Sequence, residues 1–264
     1  MTASITSDQI RQLVKLAKDA MNRVIEALRL DRSRAQRLLA RGNEFIAAMV
    51  AKANELAGPD QRYDSARSIL GEDLITPEEI AQARAIKYTG EQFGQFADTV
   101  PTEEQLLWCR DNGFMVVAGP PTELSLLEIR ELKRGFFCSK FGGWYEGDRE
   151  RFSREDKAAV AWLAIRKKAV PNSFSKSWNE QQELISDQEY IPNAAETVWA
   201  ITVYRAVRGI YLLPNFYVHT LSLVSSGYRV HVGYFCVAGL CVVHHGLDGF
   251  CRGHLGVASA RKFK

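Results

Sequence analysis

The chain has 264 residues, 46% hydrophobic and 25% charged, and a formal net charge of +3. That balance is ordinary for a folded globular protein and does not call for a polyanionic partner, so a nucleic-acid ligand is not expected. No apolar run reaches the roughly eighteen residues of a membrane helix, and the opening "MTASITSDQIRQLVKLAKD" turns polar at once, without the apolar core of a secretory signal; a cytoplasmic location is the default expectation.

Residues 1–61 read as a helical region. Ser7 and Asp8 introduce a helix with Ile10, Leu13, Leu16, Ala20, Val24 and Leu28 near helical spacing. A second helix runs from about Ser33 to Leu56 and ends at "AGPD". Arg29, Arg32, Arg34, Arg37 and Arg41 cluster around the junction. A solvated helix surface is the simpler reading, with a nucleic-acid contact as the rival. Two helices bury little surface, so they are expected to pack on the rest of the chain, on a second copy or on a partner.

Residues 62–264 read as one further domain. "TPEE" offers Thr76 as a cap, Pro77 at the first helical position and Glu79 at the third. "TEEQ" at Thr102 repeats the signal, and Gly113 stops that helix. "FMVVAG" reads as a strand, "PTELSLLEIRELK" as a helix, and "FFCSKFGGWYEGD" as strand and turn. "SREDKAAVAWLAIRKK" predicts a helix capped by Ser153, with Asp156 in its first turn and Ala159, Val160, Leu163 and Ala164 at helical spacing. "VPNSFSKSWNEQQELI" is polar and irregular, with Trp178 as an anchor. "NAAETVWAITVYRAVRG" is a helix capped by Asn193, boxed by Glu196 and ended by Gly209; its Trp199 and Tyr204 are expected in the core. After Gly209, "IYLL", "FYVHTLSLV", "YRVHVGYF", "LCVV" and "LGVAS" read as a terminal run of antiparallel strands. Helices first and strands last make an α+β fold.

The last segment concentrates unusual residues. All five histidines lie at or after His219, and Cys236, Cys241 and Cys251 fall among them. Cys109 and Cys138 stand apart and are expected to be small buried hydrophobes. The spacing Cys-x4-Cys-x2-His-His-x5-Cys-x2-His matches no zinc-finger pattern. On a strand, His244 and His245 point to opposite faces, and Cys241 and His245 stand roughly 13 Å apart. A nucleophilic Cys–His pair lacks a marked orienting residue, with Asp248 the only carboxylate side chain nearby. No cofactor or metal is expected, although a metalloprotein or enzyme built on this cluster stays open as an alternative.

A different pattern covers the same stretch. From His219 to Ala260 there is no Lys, Glu, Gln, Met or Trp, types that supply 49 of the first 218 residues. Those are the amino acids that a codon ending in a pyrimidine cannot encode. Randomising the first two bases of AAY codons yields His, Cys, Leu, Val, Phe, Gly, Arg, Asp and Tyr in close succession, as in "CVVHHGLDGFCRGH". With this pattern and the frame "GYRVHVGYF…GLCV…LGVASARKF", residues 95–264 resemble the variable proteins of diversity-generating retroelements.

The resemblance implies a C-type lectin-like fold of the formylglycine-generating-enzyme type, with a variable segment over about residues 219–254. It implies non-catalytic binding of varied protein ligands, with display on a cell surface or virion through a partner as one destination. The implied ligand-binding set is Leu221, Leu223, Tyr228, His231, Tyr234, Cys236, Ala238, Cys241, Val243, His244, His245, Leu247, Phe250, Cys251, Arg252 and His254. Alternation predicts Val230, Val232 and Tyr234 on one face and His231 exposed on the other, while Gly239 suits a hairpin turn. Leu247 and Val243 fit core as well as surface. Three features depart from the family: the last Asn is Asn215, the "EPN" and "WND" tripeptides of calcium-dependent sugar binders are absent, and no cysteine pair matches the formylglycine-generating enzymes. A structural or nucleic-acid-binding protein of a mobile element is the remaining rival.

Overall fold

The computed structural model describes residues 6–28, 31–42, 44, 48–49, 63–244 and 252–263. The chain divides into two compact units, Met1–Arg62 and Tyr63–Lys264, and its architecture is α+β, with helices leading and sheet concentrated toward the C-terminus.

The first unit holds α1 (Ser7–Leu28) and α2 (Arg32–Ala40). Thr6 caps α1 one residue ahead of Ser7. Its N–H donates to Gln9 Oε1 at 2.8 Å and its hydroxyl accepts from Gln9 N–H at 3.2 Å. Asp31 Oδ1 accepts from Arg34 N–H at 2.8 Å and starts α2 just before the expected Ser33. Leu13, Val14, Leu16 and Ile25 of α1 are exposed. Arg32, Arg34, Arg37 and Arg41 are exposed as well, with Arg37 donating to Ser33 and Arg41 paired with Glu44. The expected stretch of the second helix from 50 to Leu56, and Arg29, lie outside the described residues.

The second unit contains α3 (Asp64–Leu70), β1 (Leu74–Ile75), α4 (Pro77–Arg84), α5 (Gly90–Asp98), α6 (Glu103–Asp111), β2 (Phe114–Ala118), β3 (Leu124–Ser125), α7 (Leu126–Leu132), α8 (Phe152–Glu155), β4 (Lys157–Ala158), β5 (Trp162–Arg166), α9 (Trp178–Gln182), α10 (Ala194–Arg208), β6 (Tyr217–Leu223), β7 (Arg229–Cys236), β8 (Gly239–Val243), β9 (Leu255–Val257) and β10 (Ala260–Lys262). The capping boxes at Thr76, Thr102 and Asn193 form as the sequence predicts, and Thr89, Ser125 and Ser177 make three more.

Two four-stranded sheets carry the unit, ordered β1-β2-β5-β10 and β8-β7-β6-β9. The helix α10 packs against β5 of the first and against β6 and β7 of the second. Its residues Ala194–Tyr204 are all buried, so it is enclosed around its whole circumference, and its buried Glu196, Thr197 and Thr202 are hydrogen-bonded. Trp199 anchors it by donating Nε1–H to Ala118 O of β2 at 2.9 Å. Gly209 ends it in the left-handed region, at φ 73°.

Four expectations change. "SREDKAAVAWLAIRKK" is not a long helix. After the short α8 it becomes β4 and β5, and β5 sits between β2 and β10. A buried central strand reads as a continuous apolar run, and here the run imitates helical spacing. The stretch "FFCSKFGGWYEGD" holds turns of 3-10 helix at Arg134–Phe136 and Trp144–Glu146 and one isolated parallel bridge, Phe137 to Leu240, rather than a strand; "IYLL" forms none either. The antiparallel order holds for β6, β7 and β8, but β9 runs parallel to β6, and β10 leaves for the first sheet, where it pairs with β5.

Candidate functional site: the face of the C-terminal sheet

The second sheet has an inner and an outer face, fixed by its register. Val218, Val232 and Val242 are aligned across β6, β7 and β8 and pack inward with Val230, Leu240 and Phe235. The opposite face aligns Tyr217, Gly233 and Cys241 in one row and His219, His231 and Val243 in the next.

Two backbone devices shape this face. Register shifts between Gly233 and Cys236, and Tyr234 adopts φ 48°. This bulge inverts the alternation: Phe235 is buried and Tyr234 half-buried, the reverse of the simple period-two expectation. Gly233 permits the bend, since a Cβ there would lie 2.1 Å from Phe216 O. Val237 and Ala238 then turn the chain at an exposed tip, and Gly239 at φ 118° enters β8. A Cβ on Gly239 would sit 2.5 Å from the Phe137 and Cys138 backbone, so only glycine lets β8 reach that loop.

The expected binding residues divide into groups. Leu221, Leu223, Ala238 and His244 are exposed, and Tyr228, Tyr234, Cys236, Cys241, Val243, Arg252 and His254 are half-buried. His245, Leu247, Phe250 and Cys251 lie outside the described residues. His231 is the correction: it is 3% exposed. Its ring meets that of His219 edge to face at 4.4 Å, and the Trp178 ring lies 5.4 Å from His219. Trp178 on α9 roofs this part of the sheet, and the Arg229 guanidinium sits over it at 4.3 Å.

The buried pair is built with a defined tautomer. Gln181 Nε2–H donates to Ser173 O at 2.8 Å and to Leu255 O at 3.1 Å, which turns its Oε1 toward His219. His219 Nδ1 lies 2.6 Å from that oxygen and must therefore carry the proton it donates. Burial, and then the charge of Arg229, hold the His219 imidazole down at about 4.

Two aromatic patches flank the histidines. At one end Tyr217 and Tyr234 lie 4.5 Å apart, with His254 within 6.4 Å of both. At the other, His244 meets Trp144 at 4.7 Å and stacks on Tyr228 at 6.4 Å. Trp144 is held by its Nε1–H, which donates to Val242 O at 2.9 Å.

Trp144, Trp178, Gln181 and Tyr217 therefore complete the face without belonging to the expected set. Sequence reasoning missed Trp144, Trp178 and Gln181 because no local pattern places the 137–147 loop or α9 against the sheet, with the Trp178 anchor and the aromatic, glycine-rich loop as the available signals; Tyr217 sits on the expected strand but ahead of His219, where the codon pattern begins. Cys138 is a further correction. It is exposed, its Sγ 2.8 Å from Cys241 Sγ, whereas Cys109 is buried as expected.

Among the described residues no group of three or more His, Cys, Asp or Glu side chains is placed to hold a metal ion, and no helix is long and apolar enough to cross a membrane. Comparison with known proteins finds no family model, no curated protein and no solved structure that matches the chain.

Proposed function

We propose that this chain is a non-catalytic binding protein, the variable protein of a diversity-generating retroelement, with a C-type lectin-like second unit whose C-terminal surface is rewritten to meet different protein ligands. One observation carries the reading: the five residue types that pyrimidine-ended codons cannot encode are missing from His219 to Ala260, the stretch that supplies β6, β7, β8 and β9. Further support comes from the division of labour on that sheet. Val218, Val230, Val232, Phe235 and Val242 hold the core, while Leu221, Leu223, Tyr228, Tyr234, Ala238 and His244 reach solvent with side chains that the fold does not dictate. A rigid support with tolerant aromatic, aliphatic and histidine positions is the arrangement of a paratope. Tyr234, Tyr228 and the exposed leucines provide apolar area, and His244 and Arg252 provide polar contacts.

The flanking DNA tests this. A near-copy of the last 130 or so bases (a span set by the length of the stretch) is expected close by, with a reverse-transcriptase gene. The two copies should differ almost only where the template has adenine. Absence of any such template sinks the diversification reading. Metal analysis of the purified protein separates binding from metallochemistry: stoichiometric zinc that is lost on replacing His244 or Cys241 would overturn the non-catalytic reading in favour of a metal centre.

A further inference from the structure

Cys138 lies in the loop after α7, and Cys241 lies on β8, 103 residues later. Their backbones are locked side by side. Phe137 and Leu240 form a parallel bridge, and Cys138 N–H donates to Leu240 O at 3.1 Å. Cys138 and Cys241 are the next residues along that pairing. Neighbouring strands run about 4.8 Å apart, which falls in the Cα span that a disulfide bridges without backbone movement. Gly239 permits the approach, and the Trp144 hydrogen bond to Val242 O holds β8 further along. The two Sγ atoms stand 2.8 Å apart, Cys138 is exposed, and Cys241 is half-buried.

We propose that Cys138 and Cys241 are a cross-linking site, a dithiol that closes to a disulfide and clamps β8 to the 137–147 loop when a low-molecular-weight disulfide is the oxidant. The Cys241 thiolate attacks one sulfur of the oxidant, whose S–S bond breaks and releases one thiolate. Cys138 then loses its proton to solvent and attacks the Cys241 sulfur of the mixed disulfide. The second small thiolate leaves, so the oxidant gains the two electrons that the protein thiols lose. Burial, and then the hydrogen bond and charge of Cys241, push the Cys138 thiol up to about 12; the part owed to Cys241 disappears once Cys241 carries the mixed disulfide, which eases the Cys138 attack that resolves it. The clamp would close in an oxidising compartment and stay open against a reducing thiol pool. This inference stands apart from the diversification reading, since it needs only the two side chains present here.

Oxidised glutathione at mildly alkaline pH is the probe, applied to the full chain, with thiols counted after denaturation and peptides mapped by mass. Two thiols per chain should disappear, and the peptides bearing Cys138 and Cys241 should be joined until dithiothreitol separates them. Cys236→Ser should leave the cross-link intact, while Cys138→Ser and Cys241→Ser should each abolish it. Closing a loop of this length should raise the Tm by about 10 °C. Glutathione adducts without a cross-link, or a link through Cys236, would overturn the assignment. Should Cys241→Ser fail to fold, Cys138→Ala at its exposed position gives the same comparison.

Discussion

His219 makes the protein sensitive to acid in a defined window. Its folded-state value of about 4 lies below the ordinary 6.5, so between these two the unfolded chain binds a proton that the native chain does not. The stability it contributes is full above about 6.5, falls as the pH drops toward 4, and falls no further below that. The total is on the order of 3 kcal/mol. Urea midpoints at pH 7 and pH 4.5 should therefore differ less in His219→Gln than in the unaltered protein; an equal difference would show that other groups carry the acid response. Glycine gives a second contrast. Gly239→Ala combines φ 118° with a Cβ 2.5 Å from backbone, and should cost on the order of 3 kcal/mol. Gly227→Ala has φ 84° but open space, and should cost about 1–2 kcal/mol. Denaturant titration of the two variants separates collision from backbone strain.

Elements marked by local chemistry were legible in the sequence, and elements decided by tertiary packing were not. The caps at Thr76, Thr102 and Asn193 are short-range hydrogen-bond patterns, and each starts a helix as read. Asn193 Oδ1 accepts from Glu196 N–H at 2.8 Å and its Nδ2–H donates to Lys157 O at 3.0 Å, so Asn193→Ala should cost about 1–2 kcal/mol in thermal or denaturant melts. Strand β5 was misread because Trp162, Leu163, Ala164 and Ile165 are all buried, and a strand enclosed on both faces shows no alternation. The bulge in β7 was equally invisible. Gly233 beside Tyr234 is compatible with a bulge but does not fix the register shift, and without that shift Tyr234 and Phe235 exchange faces. The 137–147 loop and α9 form part of the candidate site only through contacts made across the fold, so the aromatic loop and the Trp178 anchor were legible as residues but not as neighbours of the sheet.

For the whole second unit, the two faces of the C-terminal sheet should respond differently to mutation. Substitutions at the exposed Leu221, Leu223, Ala238 and His244 should shift stability by no more than about 0.5 kcal/mol. Truncating Val232 or Val242 to Ala, whose side chains face the core, should cost roughly 1–3 kcal/mol. A panel of such variants compared by denaturation tests whether the sheet separates support from display; equal costs on both faces would argue that it does not. The path of the last residues adds a consequence of its own. Leu255–Val257 lies beside β6 in one sheet, Ala260–Lys262 lies beside β5 in the other, and Ala260 exchanges both backbone hydrogen bonds with Tyr190 at 2.8 Å. Leu255, Gly256, Val257, Ala258 and Ala260 along this path are all buried. Loss of the reading frame between His219 and Leu255 thus strips a strand from both sheets at once. Chains that lack both segments should be insoluble, so folding itself rejects a copy whose reading frame fails before Leu255.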